Sequence, residues 1–457
     1  MSVADGVSNM SDRSVASWPS LKMLTMIENI MLRSVNLTGL NLDEFLLGGS
    51  PLQEIYLSLK YLMYLELRQT SLEMWNASMH NLPFLRSLDL SDSPLKSLDL
   101  TEGGSKLEVL KLSNTSLKEF DASTFDLQNL KELHLSDNPI KVLRFEKLKY
   151  SIHTLKLDYT QLKIFNTSSY DLNNLDILDI GGSQISVLDM TNGADRLSVL
   201  YMQNTKVKYL NGNMLPRQNL HTIDASYSQV AEVDFSGVPR SKIVDLLLVH
   251  TNIVSISSKG WNMPFIEILR INQSPFRHLD LSEGMTSLER LELSGTKLNI
   301  FNMEMFNIPS LQYLDLSLTN IKYVHIPGSF THLERLDFYD SNLTCLSSES
   351  VPSLRQLYVS GTNIKEIDIT SFPNLWDLSL QSNPLLHKIH YNLARPQLAL
   401  NLRMDQKFSS CDCCWYVLQR TFQLRNRICP DDGNENNCTY PRGYGVCSRE
   451  QIKCEGR

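Results

Sequence analysis

Leu85-Arg-Ser-Leu88-Asp-Leu90-Ser-Asp-Ser93-Pro-Leu95 returns as Leu107-Glu-Val-Leu110-Lys-Leu112-Ser-Asn-Thr115-Ser-Leu117, and again as Leu311-Gln-Tyr-Leu314-Asp-Leu316-Ser-Leu-Thr319-Asn-Ile321. The shared template is L-x-x-L-x-L-x-x-(N/T/S)-x-L. Copies begin at Leu62, Leu85, Leu107, Leu130, Ile152, Leu175, Leu197, Leu220, Ile243, Ile266, Leu288, Leu311, Leu333, Leu354 and Leu375, with gaps of 21 to 23 residues. A weaker copy starts at Leu21. The segment 32–61 holds one more, in a register the sequence does not fix.

The L-x-L core reads as a short strand whose alternate residues face opposite sides. Its leucines point inward and need the leucines of the next copy to bury them. One copy alone cannot do this, so stability must come from stacking between neighbours.

A second period lies over the first. One set of copies continues as apolar-Asp-apolar-Thr/Ser, at Leu98-Asp99-Leu100-Thr101, Leu188-Asp189-Met190-Thr191 and Leu279-Asp280-Leu281-Ser282. The other set places a bulky apolar residue before Asn or Asp, at Trp75-Asn76, Phe120-Asp121, Phe165-Asn166 and Phe301-Asn302. Members of each set recur about every 45 residues, two copies apart. The second set reads as helix N-caps or turns. Gly103-Gly104 and Gly193 give the first set a tighter, helix-free return. The polar position that closes each strand is Asn only at Asn29, Asn138 and Asn383, and elsewhere Thr or Ser. A hydroxyl there still bonds the backbone, though it offers fewer bonds than an amide.

Net charge is −7, which argues against a nucleic-acid ligand held by broad positive charge. No stretch approaches the roughly 20 apolar residues of a membrane span. The start, Met1 to Gly6, lacks the basic and apolar regions of a signal peptide. Against this, seven of the 8 cysteines lie between Cys411 and Cys454. Such density reads as a disulfide framework and an oxidising compartment. The expected location is therefore extracellular, secreted or at the cell surface, despite the absent signal.

The template and the cysteine spacing resemble the extracellular leucine-rich-repeat superfamily of animals, which includes Toll-type receptor ectodomains and secreted insect leucine-rich immune proteins. Cys411-Asp-Cys413, Trp415, Cys429, Cys438 and Cys447 resemble that superfamily's C-terminal cap. Its cysteine-containing N-terminal cap has no counterpart here, which suggests a missing N-terminus. The resemblance implies an α/β solenoid: a horseshoe with a parallel concave β-sheet of about 16–17 repeats and a disulfide-bonded C-terminal cap. Residues 1–19 are then a disordered or truncated N-terminus, 20–395 the array and 396–457 the cap. Cys411 and Cys413 each pair with a later cysteine by that resemblance, among Cys429, Cys438, Cys447 and Cys454. Seven cysteines cannot all pair among themselves. Cys414 and Cys345 are the candidates for a thiol that is free, paired across the array, or shared with another chain in a covalent dimer.

Sequons at Asn36, Asn76, Asn114, Asn166, Asn342 and Asn437 are glycosylation candidates. Asn76 and Asn166 fall in the capping column, where turn chemistry alone explains them. Asn272 lies on the strand face before Ser274-Pro275 and is a poor acceptor.

The residue between the last two strand leucines forms one column on the concave face. Lys111, His134 and Lys156 make a basic run. Tyr201, Tyr227, Leu247 and Val249 put apolar surface near its middle. Arg270 precedes three stacked acids, Glu292, Asp315 and Asp337, which are unfavourable unless compensated; Arg290 and Arg335 stand ready to do so. An apolar centre with charged flanks is interface anatomy. No metalloprotease, nucleophile-elbow, P-loop or dinucleotide motif occurs. The sequence thus predicts a non-enzymatic protein without cofactor or metal, binding a protein or microbial ligand on its concave face in innate immunity or as a receptor ectodomain. A structural matrix protein and a cytosolic scaffold are the alternatives.

Overall fold

The computed structural model describes residues 21–28, 31–145, 151–170, 172–390 and 400–404. It is a parallel β-solenoid of about 17 turns in two compact units, residues 1–229 and 230–457. In the first unit the main sheet runs from Met23–Ile27 through Glu44–Gly48 and Tyr64–Arg68 to Thr222–Asp224, one strand per turn, all parallel. In the second it runs from Asp245–Leu247 to Asn401–Arg403 in the same manner. The copy whose register the sequence leaves open is fixed by Leu42, Phe45 and Leu47, all buried.

The leucine ladder explains the stack. Leu88, Leu110, Leu133, Leu155, Leu178 and Leu200 face each other in register at the centre of successive strands and are fully buried. Each contributes about 1.5–3 kcal/mol of burial. Neighbouring positions on the same strands are mostly open to solvent, at least in part. Each turn thus supplies one apolar row to the core and one side-chain row to the face.

The α component is not observed among the described residues. Among the described residues, the return side carries short parallel strands and four single turns of 3-10 helix, Ala77–Met79, Thr167–Ser169, Gly212–Met214 and Met303–Met305. The asparagines cap as expected, but a single 3-10 turn takes the place of an α-helix after them. Asn76, Asn166 and Asn302 each accept from the backbone N–H two residues on, at 3.0, 3.0 and 3.1 Å. Asn211 does the same at 2.8 Å. About ten residues must then carry the chain back to the next strand, too few for a helix and its loops. Asp99, Asp189 and Asp280 hold the other returns by accepting from Thr101, Thr191 and Ser282. The two-copy alternation appears as two-stranded return sheets, each pairing one kind of return with the other: Met74–Asn76 with Ser97–Asp99, and Ile164–Asn166 with Val187–Asp189.

The residue two places after the last strand leucine is left-handed in every described copy, with φ from 52 to 72°. Only some are glycine; Tyr159, Tyr227 and Leu318 occupy the same conformation. A bulky residue costs about 1–2 kcal/mol there. The turn points its N–H at the next copy, as in Tyr159 N to Gly181 O at 2.7 Å and Leu318 N to Tyr339 O at 2.8 Å. The backbone ladder therefore continues through the bend, which offsets the strain.

Cys345, one of the two candidates for a thiol that is free, paired across the array or shared with another chain, is disulfide-bonded and so is not free. It opens the return strand Cys345–Ser348, beside Tyr323–Ile326. Of the proposed cap, 396–457, only residues 400–404 are described, and there Asn401–Arg403 pairs with Asp377–Ser379 as a further strand of the main sheet. The other cysteines and Asn437 lie outside the described residues.

Candidate functional site

In the first unit, Lys111, His134 and Lys156 stand in register on adjacent strands. Burial lowers the His134 pKa, and Lys156 and Lys111 push it the same way. Its Nε2 is 3.7 Å from Glu132 Oε2. The basic run is therefore two cations around a neutral ring. Beside it an open depression of about 490 Å³ is lined by Arg68, Asp89, Asp92, Lys111, Asn114, His134 and their neighbours. Its polar groups are largely paired already: Arg68 Nη2 with Asp92 at 3.1 Å, Asn114 Nδ2 with Asp92 at 3.0 Å, and Ser91 N with Asp89 at 3.0 Å. Tyr201 lies in register between Asp179 and Asp224 and is exposed, as is Tyr227.

In the second unit, Leu247 and Val249 are half-buried, and Leu247 is in register with Arg270. Arg270, Glu292, Asp315 and Asp337 then follow strand by strand. The acids are compensated unevenly. Glu292 receives Arg270 at 3.1 Å, Arg290 closer still, and Asn272 Nδ2 at 2.8 Å. Asp337 receives Arg335 at 2.8 Å and the Tyr313 hydroxyl at 2.9 Å. Asp315 has only Ser317, whose N–H donates at 2.9 Å. Burial therefore raises its pKa, and Asp337 and Glu292 raise it further.

A single column does not capture this face. The two template positions before the first strand leucine supply adjacent columns. They hold Arg290, Tyr313 and Arg335 in one row and Gln312, Glu334, Arg355 and Trp376 in the next, joined by a continuous backbone ladder. Arg290 lies 4.5 Å from the Tyr313 ring centre. Arg335 sits between Tyr313 and Tyr358, at 5.1 and 4.8 Å, and Arg403 lies 5.3 Å beyond Tyr358. Beneath the guanidinium groups are nearly buried carboxylates. Asp377 binds Arg403 through both oxygens at 3.0 Å and accepts from the Tyr358 hydroxyl at 2.6 Å. Each of these arginines is thus fixed from below by charge and from the side by a ring.

Over this frame lies an open depression of about 380 Å³, lined by Arg290, Tyr313, Glu334, Arg335, Arg355, Trp376 and two glutamines. Trp376 is 43% exposed. Arg355 reaches Glu334 only at 3.8 Å, and both side chains are more than half exposed. Arg290 and Arg335 are matched by Glu292 and Asp337 beneath them, which leaves Arg355 and Glu334 as the loosely paired charges of the rim. The signal is present in the sequence as Arg290, Tyr313 and Arg335 at one template position in consecutive copies. Among the described residues no cluster of His, Cys, Asp and Glu is suited to a metal ion, and no helix is long and apolar enough to cross a membrane.

This architecture is the leucine-rich-repeat fold. Solved structures agree. The chain resembles Toll from the Toll–Spatzle complex of Drosophila with TM-score 0.58 and 14% identity, over 87% of this chain and 62% of that one. It resembles the leucine-rich effector YopM of Yersinia pestis with TM-score 0.52 and 21% identity, over 71% and 84%. A leucine-rich-repeat protein of Leptospira interrogans gives 0.51 and 18%, over 78% and 91%. At these identities the likeness establishes the fold alone. No family model matches the chain. Among curated proteins, leucine-rich repeat serine/threonine-protein kinase 1 of Caenorhabditis elegans is 32% identical over 90 residues, which is 18% of this chain and 4% of that protein. The match spans a small fraction of the kinase's length.

Proposed function

We propose that the chain is a non-enzymatic recognition protein that binds a protein ligand through the main-sheet face of its second unit, at the depression between Arg290 and Trp376. The observation that carries this reading is the preorganised Arg–Tyr row with Arg355 and Trp376 exposed beside it. Trp, Tyr and Arg dominate the energetics of protein interfaces. Guanidinium groups already held by Tyr rings and buried carboxylates lose little freedom on binding, and their remaining N–H groups suit carboxylates. The ligand is accordingly an acidic protein surface, self-derived or microbial.

The same reading places the protein outside the cell, as a secreted recognition protein or receptor ectodomain in innate immunity. The disulfide at Cys345 supports that placement, as do the exposed sequons at Asn36, Asn114 and Asn342. Asn76 and Asn166 are accounted for by capping.

The test is selection of displayed peptides on the immobilised full chain. Enriched peptides are expected to carry Asp or Glu beside an aromatic residue, and to lose binding to Arg355→Glu and Trp376→Ser. Enrichment of basic peptides, or equal binding to both variants, contradicts the assignment.

A further inference from the structure

The return side of the first unit carries a feature that the main-sheet reading does not use. Val142, Ile164, Val187 and Tyr209 occupy the same position in four consecutive copies, and each is at least 40% exposed. Ile164 and Val187 are partners in one return sheet. Backbone bonds from Gln161 N to Ile140 O at 3.0 Å and from Lys206 N to Ile185 O at 2.9 Å tie the flanking copies to it. The four side chains therefore form one apolar stripe across the stack. Soluble surfaces rarely leave such a stripe uncovered.

A second column runs beside it. Lys118, Lys141, Lys163 and Lys208 stand one residue before the first strand position in their copies, with Ser186 in the copy of Val187 between the last two, and all four lysines are exposed. Lys141 N bonds Lys118 O at 2.9 Å, so the column follows the backbone ladder. No ion pair engages these four lysines among the described residues, whereas the next lysine in the column, Lys96, meets Glu73 at 2.9 Å. On the far edge of the stripe Asp121 is held by Arg144 at 2.9 Å and Asp189 by Thr191. Among the described residues, positive charge outside any ion pair therefore flanks the stripe on one side, and the stripe's own column continues beyond its two ends as Glu119 and Glu232.

We infer that this stripe docks an acidic amphipathic helix of a partner protein. Spacing selects the helix. Paired strands are about 4.8 Å apart, close to the 5.4 Å pitch at which a helix presents one apolar residue per turn. An extended peptide repeats the same face only every ~6.8 Å and would fall out of step. Charge selects its sign, because acidic residues along one flank of the apolar face would meet the lysine column. A second copy of this chain would set lysines against lysines. The inference concerns a different unit and a different face from the proposed ligand depression, and it stands independently of that proposal.

The experiment titrates the full chain with a synthetic peptide of about 18 residues, with leucines at positions i, i+4, i+7 and i+11 and glutamates along one flank. Calorimetry is expected to give saturable binding that weakens at high salt, with Ile164→Glu and Lys163→Glu each raising Kd at least tenfold. A scrambled peptide of equal composition should not bind. Equal binding of the scrambled peptide, or unchanged Kd in both variants, overturns the inference. So does binding of the chain to phosphatidylserine vesicles that the peptide cannot displace, since the stripe would then serve a lipid surface. A glycan on Asn166, which belongs to the Ile164 strand, would also exclude a helix there, and intact-mass analysis reads it directly.

Discussion

Replacing Asn138 with Thr should destabilise the first unit far more than the frequency of Thr at this position suggests. The Asn138 amide bridges two copies. Its Nδ2 donates to Leu112 O at 2.7 Å, Leu135 O at 3.0 Å and Ser136 O at 3.1 Å. Its Oδ1 accepts from Thr115 Oγ1 at 2.5 Å and Leu117 N at 3.3 Å. The hydroxyls at equivalent positions bond mainly within their own copy: Thr160 to Leu157 O at 2.7 Å, Thr205 to Met202 O at 3.0 Å, Thr319 to Leu316 O at 2.7 Å. Threonine at 138 would keep the local bond to Leu135 O. It would strand Leu117 N and the Thr115 hydroxyl in a site where Asn138 is almost fully buried. Each orphaned buried group costs about 1–3 kcal/mol. Two such losses, partly relieved by rearrangement, give roughly 2–4 kcal/mol. Urea unfolding followed by circular dichroism measures it, with unchanged slope as the check that the transition is comparable. A loss below about 1 kcal/mol would refute the view that this amide ties the copies together.

Single sites give three further outcomes. Burial lowers the His80 pKa from 6.5 to about 4, its ring lying 4.4 Å from Trp75 with Nδ1 accepting from Leu57 N. The unfolded chain binds the proton more tightly, so stability falls as pH drops from 6.5 toward 4; linkage gives about 2 kcal/mol between pH 7 and 5, reduced to ~1 by residual solvent access, and His80→Gln should flatten that slope in pH-dependent melts. Asp315→Asn should raise stability at pH 7 by about 0.5–1 kcal/mol, because it removes a carboxylate whose raised pKa makes its ionised form unfavourable between Glu292 and Asp337; a lower melting temperature would contradict this. Gly284→Ala should cost roughly 2–4 kcal/mol and Gly260→Ala about 1, since both have positive φ but a Cβ at 284 would lie 2.2 Å from the Trp261 carbonyl oxygen while one at 260 meets only Ser236 at 3.7 Å; equal melting temperatures of the two variants would sink the distinction.

The repeat is legible in the sequence because leucine burial is a strict demand with a fixed period, and the strand positions come from Leu88, Leu90 and their equivalents. The return side is legible only in its caps. Asn76 and Asn166 announce a turn, but whether a helix forms after them depends on how many residues remain before the next strand. The left-handed column is hidden because Tyr159 and Leu318 carry no glycine signal; the conformation is imposed by the ladder between copies. The main-sheet face is half legible. The column through Glu292, Asp315 and Asp337 alone shows three repelling acids. Arg290 and Arg335, which answer Glu292 and Asp337 two residues on, lie in the neighbouring column, and the Tyr313 and Tyr358 rings that hold them belong to adjacent copies. The bonded state of Cys345 is not legible either, since cysteine spacing along the chain does not choose among possible partners.

The central claim is that an acidic ligand meets the face at Arg355 and Trp376, and charge exchange tests it most directly. The full chain carrying Arg355→Glu is titrated with a selected acidic peptide and with the same peptide in which one acidic residue is replaced by Arg. The account predicts at least a tenfold loss with the original peptide and recovery of most of it with the exchanged one. Equal affinity of the variant and the parent chain for the original peptide, or no recovery on exchange, would contradict it.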